Sequence, residues 1–329
     1  NAAELSLATK MADSPERVIG FLRELAARAR PAALADLTEL QDFGRAHGID
    51  DLRPWDVPFL SEKLKSLRFG LDDEALRPYF PLDRVLAGLF GVIERLFGLK
   101  AVPTEAPTWH PDVRHYRLID GAGRAVAGFY TDFYARERKR GGAWMDVCTA
   151  RYRRGADLQA PVAHLVCNFA PPVDGKPALL THDDVVTLFH EMGHGLHHLL
   201  TEVDLPSVSG ISGVEWDAVE LPSQLMENFC WEAEGLTLIS GHVETGEALP
   251  AAWIEQLKAS KNFQAGLFLL RQLEFGLFDF RLHAEAERAS DVIGLLLEVR
   301  REVAVLHPPE WNRMPMSFTH IFGGGYAAG

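Results

Sequence analysis

The sequence predicts a mainly α-helical protein with one small β-sheet. Three observations carry that reading. Apolar residues recur at helical spacing through the first hundred residues, β-type runs broken by glycine extend from Trp109 to Phe169, and helical spacing returns after Thr181. Ser14-Pro15 opens a helix to about Arg30, because serine caps a helix start and proline fits the first turn. Pro31 is expected to start the next helix, to about His47, and further helices fall near 58–68 and 82–97. Strands are expected at Val113–Ile119, Ala125–Tyr134, Trp144–Tyr152 and Val162–Phe169, with Gly121-Ala122-Gly123 as a hairpin turn. Helices then cover about 217–239, 250–287 in two pieces, and 290–304.

Composition bounds the function classes. With 329 residues, 47% hydrophobic and 24% charged, the chain is an ordinary globular protein long enough for a large core. A formal net charge of −13 argues against nucleic acid or an anionic membrane as a general partner. The basic runs Arg136–Arg140 and Arg151–Arg154 read as solvated faces or salt-bridge partners. No apolar run reaches transmembrane length and no signal peptide stands at the start. Cys148, Cys167 and Cys230 are odd in number and widely spaced, so they read as buried free thiols in a reducing compartment, which points to the cytoplasm. The chain begins at Asn1 without methionine and stops just after Gly323-Gly324-Gly325-Tyr326, so a fragment is expected.

The chemistry is concentrated at His190-Glu191-Met192-Gly193-His194. At 3.6 residues per turn the two histidines stack on one helix face, where both imidazoles can bind one metal ion. Glu191 lies about 100° round the helix, near enough to act on a water molecule without being a ligand. Thr181 with Asp184 forms a capping box, and Val185, Leu188, Phe189, Met192, Leu196, Leu199 and Leu200 supply the apolar stripe. His194 and His198 are also one turn apart, but Gly195 leaves that pair without an adjacent acid. His197 and His198 are therefore expected to be partly exposed helix residues.

A catalytic zinc takes three protein ligands and keeps one open position. Downstream candidates for the third are Glu202, Glu215, Asp217, Glu220 and Glu227. Glu202 shares the histidines' helix and cannot readily fold back. Glu220 and Glu227 are seven residues apart on one face of a second helix, so one can bind metal while the other orients a histidine. The residues favour Glu220 over Asp217 and Glu227 without settling the choice. The expected sheet precedes the motif helix, and an edge strand beside the metal would let an extended peptide backbone pair with it. Which strand is the edge is not legible.

These segments carry a resemblance. His190 to Gly195, Ser209-Gly210-Ile211-Ser212-Gly213 and Glu220-Leu221-Pro222-Ser223-Gln224-Leu225-Met226-Glu227-Asn228 resemble the thimet oligopeptidase family of zinc metallopeptidases. The similarity extends through Asn1–Met11, Arg77–Pro81, Tyr134–Asp146, Gly175–Leu180 and Gln272–Ala284. It implies a zincin-like catalytic region holding one Zn²⁺ on His190, His194 and Glu220, with Glu191 as the base. Met314 to His320 and Gly323 to Tyr326 resemble the family's segment facing the metal, so His320 and Tyr326 inherit the role of stabilising the reacting carbonyl oxygen. On this reading 1–105 is a helical part, 106–175 a sheet part and 176–329 the zinc-binding helices. The family's N-terminal helical region and extreme C-terminal segment are absent, leaving about half of a full-length protein. The implied function is a monomeric, cytoplasmic endopeptidase for short, unstructured peptides, with no nucleic-acid or membrane partner. The competing reading is a truncated, inactive helical fragment that binds zinc or peptide.

Overall fold

The computed structural model describes residues 1–323. In chain order its helices are α1 (Ala2–Leu7), α2 (Pro15–Ala46), α3 (Val57–Phe69), α4 (Asp73–Leu76) and α5 (Leu82–Phe97), followed after the sheet by α6 (His182–Leu199), α7 (Leu221–Glu227), α8 (Ala233–Ile239), α9 (Ala251–Ser260), α10 (Ala265–Ala284) and α11 (Val292–Val303). The strands are β1 (Lys100–Thr104), β2 (Arg114–Ile119), β3 (Ala125–Tyr134), β4 (Trp144–Thr149), β5 (Tyr152–Arg154), β6 (Asp157–Gln159) and β7 (Val162–Phe169). The chain is thus mainly helical with a small mixed sheet. Among the described residues, no helix is long and apolar enough to cross a membrane.

Two compact units divide these elements. The first gathers 1–70, 215–217 and 262 onward; the second gathers 71–214 and 218–261. In the first unit α10 lies against α2, burying Ala26 and Ala33 with Leu270, Leu273 and Leu277. Further along α2, Leu37 and Leu40 bury against Leu60 and Leu64 of α3.

Here the expected break at Pro31 does not occur: α2 runs unbroken from Pro15 to Ala46 with Pro31 inside it. An interior proline costs about 3 kcal/mol through a lost hydrogen bond and a ring clash. The buried stripe from Ala26 to Leu40 continues across Pro31 on both sides, and its burial offsets that cost. Ser14 caps the start as expected, accepting from the Arg17 amide at 3.3 Å.

The second unit is built on the order β1-β2-β3-β7-β4, antiparallel throughout except for β3 with β7. β2 and β3 join through the expected glycine turn, with Gly123 at φ 79°. One face of the sheet is apolar, carrying Tyr116, Leu118, Phe129, Ala163 and Leu165, and α5 and α6 lie on it. β4 is an edge strand, pairing only with β7 among the described strands.

Three strand and helix expectations change. β1 was hidden by Pro103, which an edge strand tolerates because that residue needs no ladder donor. The expected strand over Trp144–Tyr152 stops at Thr149, and Tyr152–Arg154 pairs with β6 in a separate hairpin. The single helix expected over 217–239 is instead a 3₁₀ turn, α7, a second 3₁₀ turn at Asn228–Cys230, and α8. Gly235 explains the fold-back: a Cβ there would lie 1.9 Å from the Phe229 carbonyl oxygen, so only glycine lets the chain return on itself.

The basic runs are salt-bridge partners, Arg136 and Lys139 on Asp132, and Arg151 and Arg153 on Asp204. Cys167 and Cys230 are buried free thiols, but Cys148 on the edge strand is exposed, against expectation.

Candidate metal centre

The motif helix forms where the sequence places it. Thr181 Oγ1 accepts from the Asp184 amide at 3.0 Å while Asp184 Oδ2 accepts from the Thr181 amide at 2.9 Å, closing the capping box. Val185, Leu188, Phe189, Met192, Leu196 and Leu199 are all buried, so α6 is pinned along its apolar stripe. His190 and His194 then stand one turn apart with ring centroids 4.9 Å from each other.

Glu220 meets them from the residue preceding α7. Its Oε2 lies 3.2 Å from His190 Nε2 and 3.1 Å from His194 Nε2. What allows this approach is Gly193. A Cβ at that position would come within 2.5 Å of the Pro222 carbonyl oxygen and of Ser223 Cα, so the α7 backbone rests directly on the α6 backbone. A glycine in mid-helix costs helix stability, and here the close crossing repays it.

The donor set fits a metal ion. Two imidazole nitrogens and one carboxylate oxygen lie within 4.8 Å of one another. A tetrahedral zinc about 2.0–2.2 Å from each donor spaces those donors roughly 3.3 Å apart, close to the 3.1 and 3.2 Å distances of Glu220 Oε2 from the two rings. The supporting groups are in place as well. Glu227 Oε1 lies 2.7 Å from His190 Nδ1, which directs the proton to Nδ1 and leaves Nε2 as the donor atom. Ser223, fully buried, donates its hydroxyl proton to Glu220 Oε2 at 2.6 Å.

Ser223 was missed in the sequence; its only signal is a hydroxyl three residues after Glu220. Of the other candidates, Asp217 belongs to the first unit and accepts a hydrogen bond from the Met11 amide at 2.8 Å.

Electrostatics follow from burial against charge. Burial lowers the His190 pKa, but its contacts with Glu220 and Glu227 outweigh that and push it up to about 9. A cation at Nε2 must therefore displace a proton. Glu191, 5% exposed, has its pKa raised by burial, with the two imidazoles pulling the other way. Its Oε2 has no hydrogen-bond partner among the described residues. A buried carboxylate with one free oxygen and a raised pKa suits a group that takes and returns a proton.

Of the neighbouring histidines, His197 is partly exposed as expected, with its pKa lowered by burial. His198 departs from expectation: it is fully buried and bonds the Thr149 carbonyl. His320 sits exposed in a 3₁₀ turn, Thr319–Ile321, of the first unit, its ring 5.9 Å from that of Phe318. Tyr326 lies outside the described residues.

Comparison with known proteins is consistent along the whole chain. The model of peptidase family M3 matches residues 1–329. The chain is 54% identical to oligopeptidase A of Salmonella typhimurium over 334 residues, all of this chain and 49% of that protein. It is 43% identical to the organellar oligopeptidase A of Arabidopsis thaliana over all of this chain and 43% of that protein. With dipeptidyl carboxypeptidase of Escherichia coli it shares 36% identity over 99% of this chain and 48% of that protein. The chain spans about half the length of the curated relatives it matches. As the resemblance in its motifs implied, it belongs to peptidase family M3.

Proposed function

We propose that this chain carries the catalytic region of a zinc-dependent endopeptidase acting on short, unstructured peptides. The observation that carries the reading is the convergence of His190, His194 and Glu220 beside a buried Glu191. In this reading the first three hold one Zn²⁺, with His190 oriented by Glu227 and Glu220 by Ser223. The chemistry zinc supplies when bound is polarisation of the peptide carbonyl and a lowered pKa for the attacking water, roughly from 15.7 towards 7.

The chain's own residues do the rest. Glu191 takes a proton from water as its oxygen joins the carbonyl carbon, then gives that proton to the departing amine nitrogen as the C–N bond breaks. β4 lies against α6 and is an edge strand, pairing only with β7 among the described strands, so an extended peptide can lie along its outer edge. His320 and Tyr326 are assigned, on the family resemblance, as donors to the developing oxyanion, where losing one donor typically costs about 10²–10³ in rate.

Metal analysis of the purified chain, alongside cleavage of an internally quenched peptide, tests this. The expected result is one zinc per chain and cleavage of a peptide blocked at its amino end. Release of dipeptides alone from the carboxyl end would replace the endopeptidase reading with the activity named for the E. coli relative. The chain covers half its relatives' length, and bound zinc without any turnover would establish instead a zinc- or peptide-binding chain.

A further inference from the structure

Seven residues, two helical turns, separate Glu191 from His198, so both side chains leave α6 on the same face. That face lies along β4, and contact is made at both ends. The Met145 amide is close enough to Glu191 to stabilise its charge. At the other end His198 Nε2 lies 2.9 Å from the Thr149 carbonyl oxygen, and since a carbonyl only accepts, the imidazole donates. Along the helix the two contacts are about 10.5 Å apart. Along the strand, Met145 to Thr149 spans about 13 Å before the bulge between Val147 and Thr149 shortens it. Helix and edge strand therefore pack together along this stretch and are tied by the His198–Thr149 hydrogen bond, with Glu191 near the Met145 end.

The His198 tie is built tightly. His198 is fully buried, although an imidazole costs more to desolvate than an apolar side chain of its size. Gly210 backs it so closely that a Cβ there would lie 2.5 Å from His198 Nδ1, and its φ of +63° also favours glycine. The Ser209–Gly213 loop thus closes onto a ring whose one hydrogen bond holds the end of β4.

We propose that His198 is a positioning residue: it fixes the outer edge of β4 relative to the metal-binding face of α6, and so fixes where a peptide backbone lies over Glu191. The proposal rests on the peptidase reading. It predicts an effect that grows with substrate length, because only longer peptides reach the Thr149 end of the strand.

The test compares His198→Leu, which fills the volume without a donor, with His198→Gln, whose amide N–H can meet the same carbonyl. Both are made in the zinc-loaded protein. Measurements are zinc content, amide hydrogen exchange over 144–149, and kcat/KM for quenched peptides extended stepwise on each side of the cleaved bond. His198→Leu is expected to keep zinc, to speed exchange over 144–149, and to lower kcat/KM of the longest peptides by about tenfold with little loss on the shortest. His198→Gln should restore most of the loss. An equal loss at every length, or unchanged exchange over 144–149 in His198→Leu, would overturn the proposal. Failure of the unsubstituted protein to cleave any peptide would sink the peptidase reading instead, and the exchange comparison would still decide the tie.

Discussion

At the scale of single residues, Glu191 is the most exacting position. Glu191→Gln keeps the shape and removes the proton acceptor, so kcat should fall by about 10²–10⁴ while zinc content stays unchanged. Turnover close to that of the unsubstituted protein would remove Glu191 as the base. Glu220→Gln should weaken zinc retention outright. Glu227→Gln should cost about 10–100-fold in zinc affinity, because the imidazole it orients is then held less firmly; equilibrium dialysis against a zinc buffer reads both. The motif histidines and Glu191 were legible because a five-residue pattern at helical pitch encodes its own geometry. The choice of Glu220 over Glu227 was only half legible, since both share a helical face and which one reaches the rings depends on how α7 crosses α6. Ser223 and the burial of His198 were not legible, because each depends on a contact with another segment.

At the scale of elements, helix crossings carry the site. Gly193→Ala places a methyl group where the α7 backbone now lies, so α7 must shift outward. The expected result is a loss of about 1–3 kcal/mol in stability together with weaker zinc binding; thermal melts with and without zinc measure both. An unchanged zinc affinity would show that Glu220 reaches the rings without the close crossing. Sequence reading located α5, α6, β3 and β7 closely, since each has a clear apolar run bounded by a cap, a glycine or, for β7, prolines. It failed at Pro31 and over 217–239 for opposite reasons. In α2, burial against two other helices overrides a local breaker, whereas near Gly235 a tight backbone contact breaks a segment whose local pattern favours helix.

At the scale of the whole molecule, acid stability and the order of folding follow from two features. Asp132 is buried beneath Arg136, Lys139 and Trp109. Burial pushes its carboxyl up, but hydrogen bonds from those three groups outweigh it and hold the pKa well below the usual carboxylate range. A carboxyl so depressed contributes stability that is fully present above the unfolded value, about 3.9, and is lost as pH falls through the native one. Asp132→Asn should therefore cost of order 3–5 kcal/mol near neutral pH, with the gap narrowing below about pH 4; urea melts across that range give the answer. The first unit draws on both ends of the chain, with α2 buried by α10 more than two hundred residues later, whereas the second is nearly continuous from Leu71 to Lys261. Ribosomal synthesis delivers these pieces in a fixed order, so the sheet and the motif helix can mature while α2 still waits for its cover. A nascent chain arrested after Lys261 should accordingly be nicked by protease within Pro15–Ala46 and resist cleavage across Leu71–Lys261.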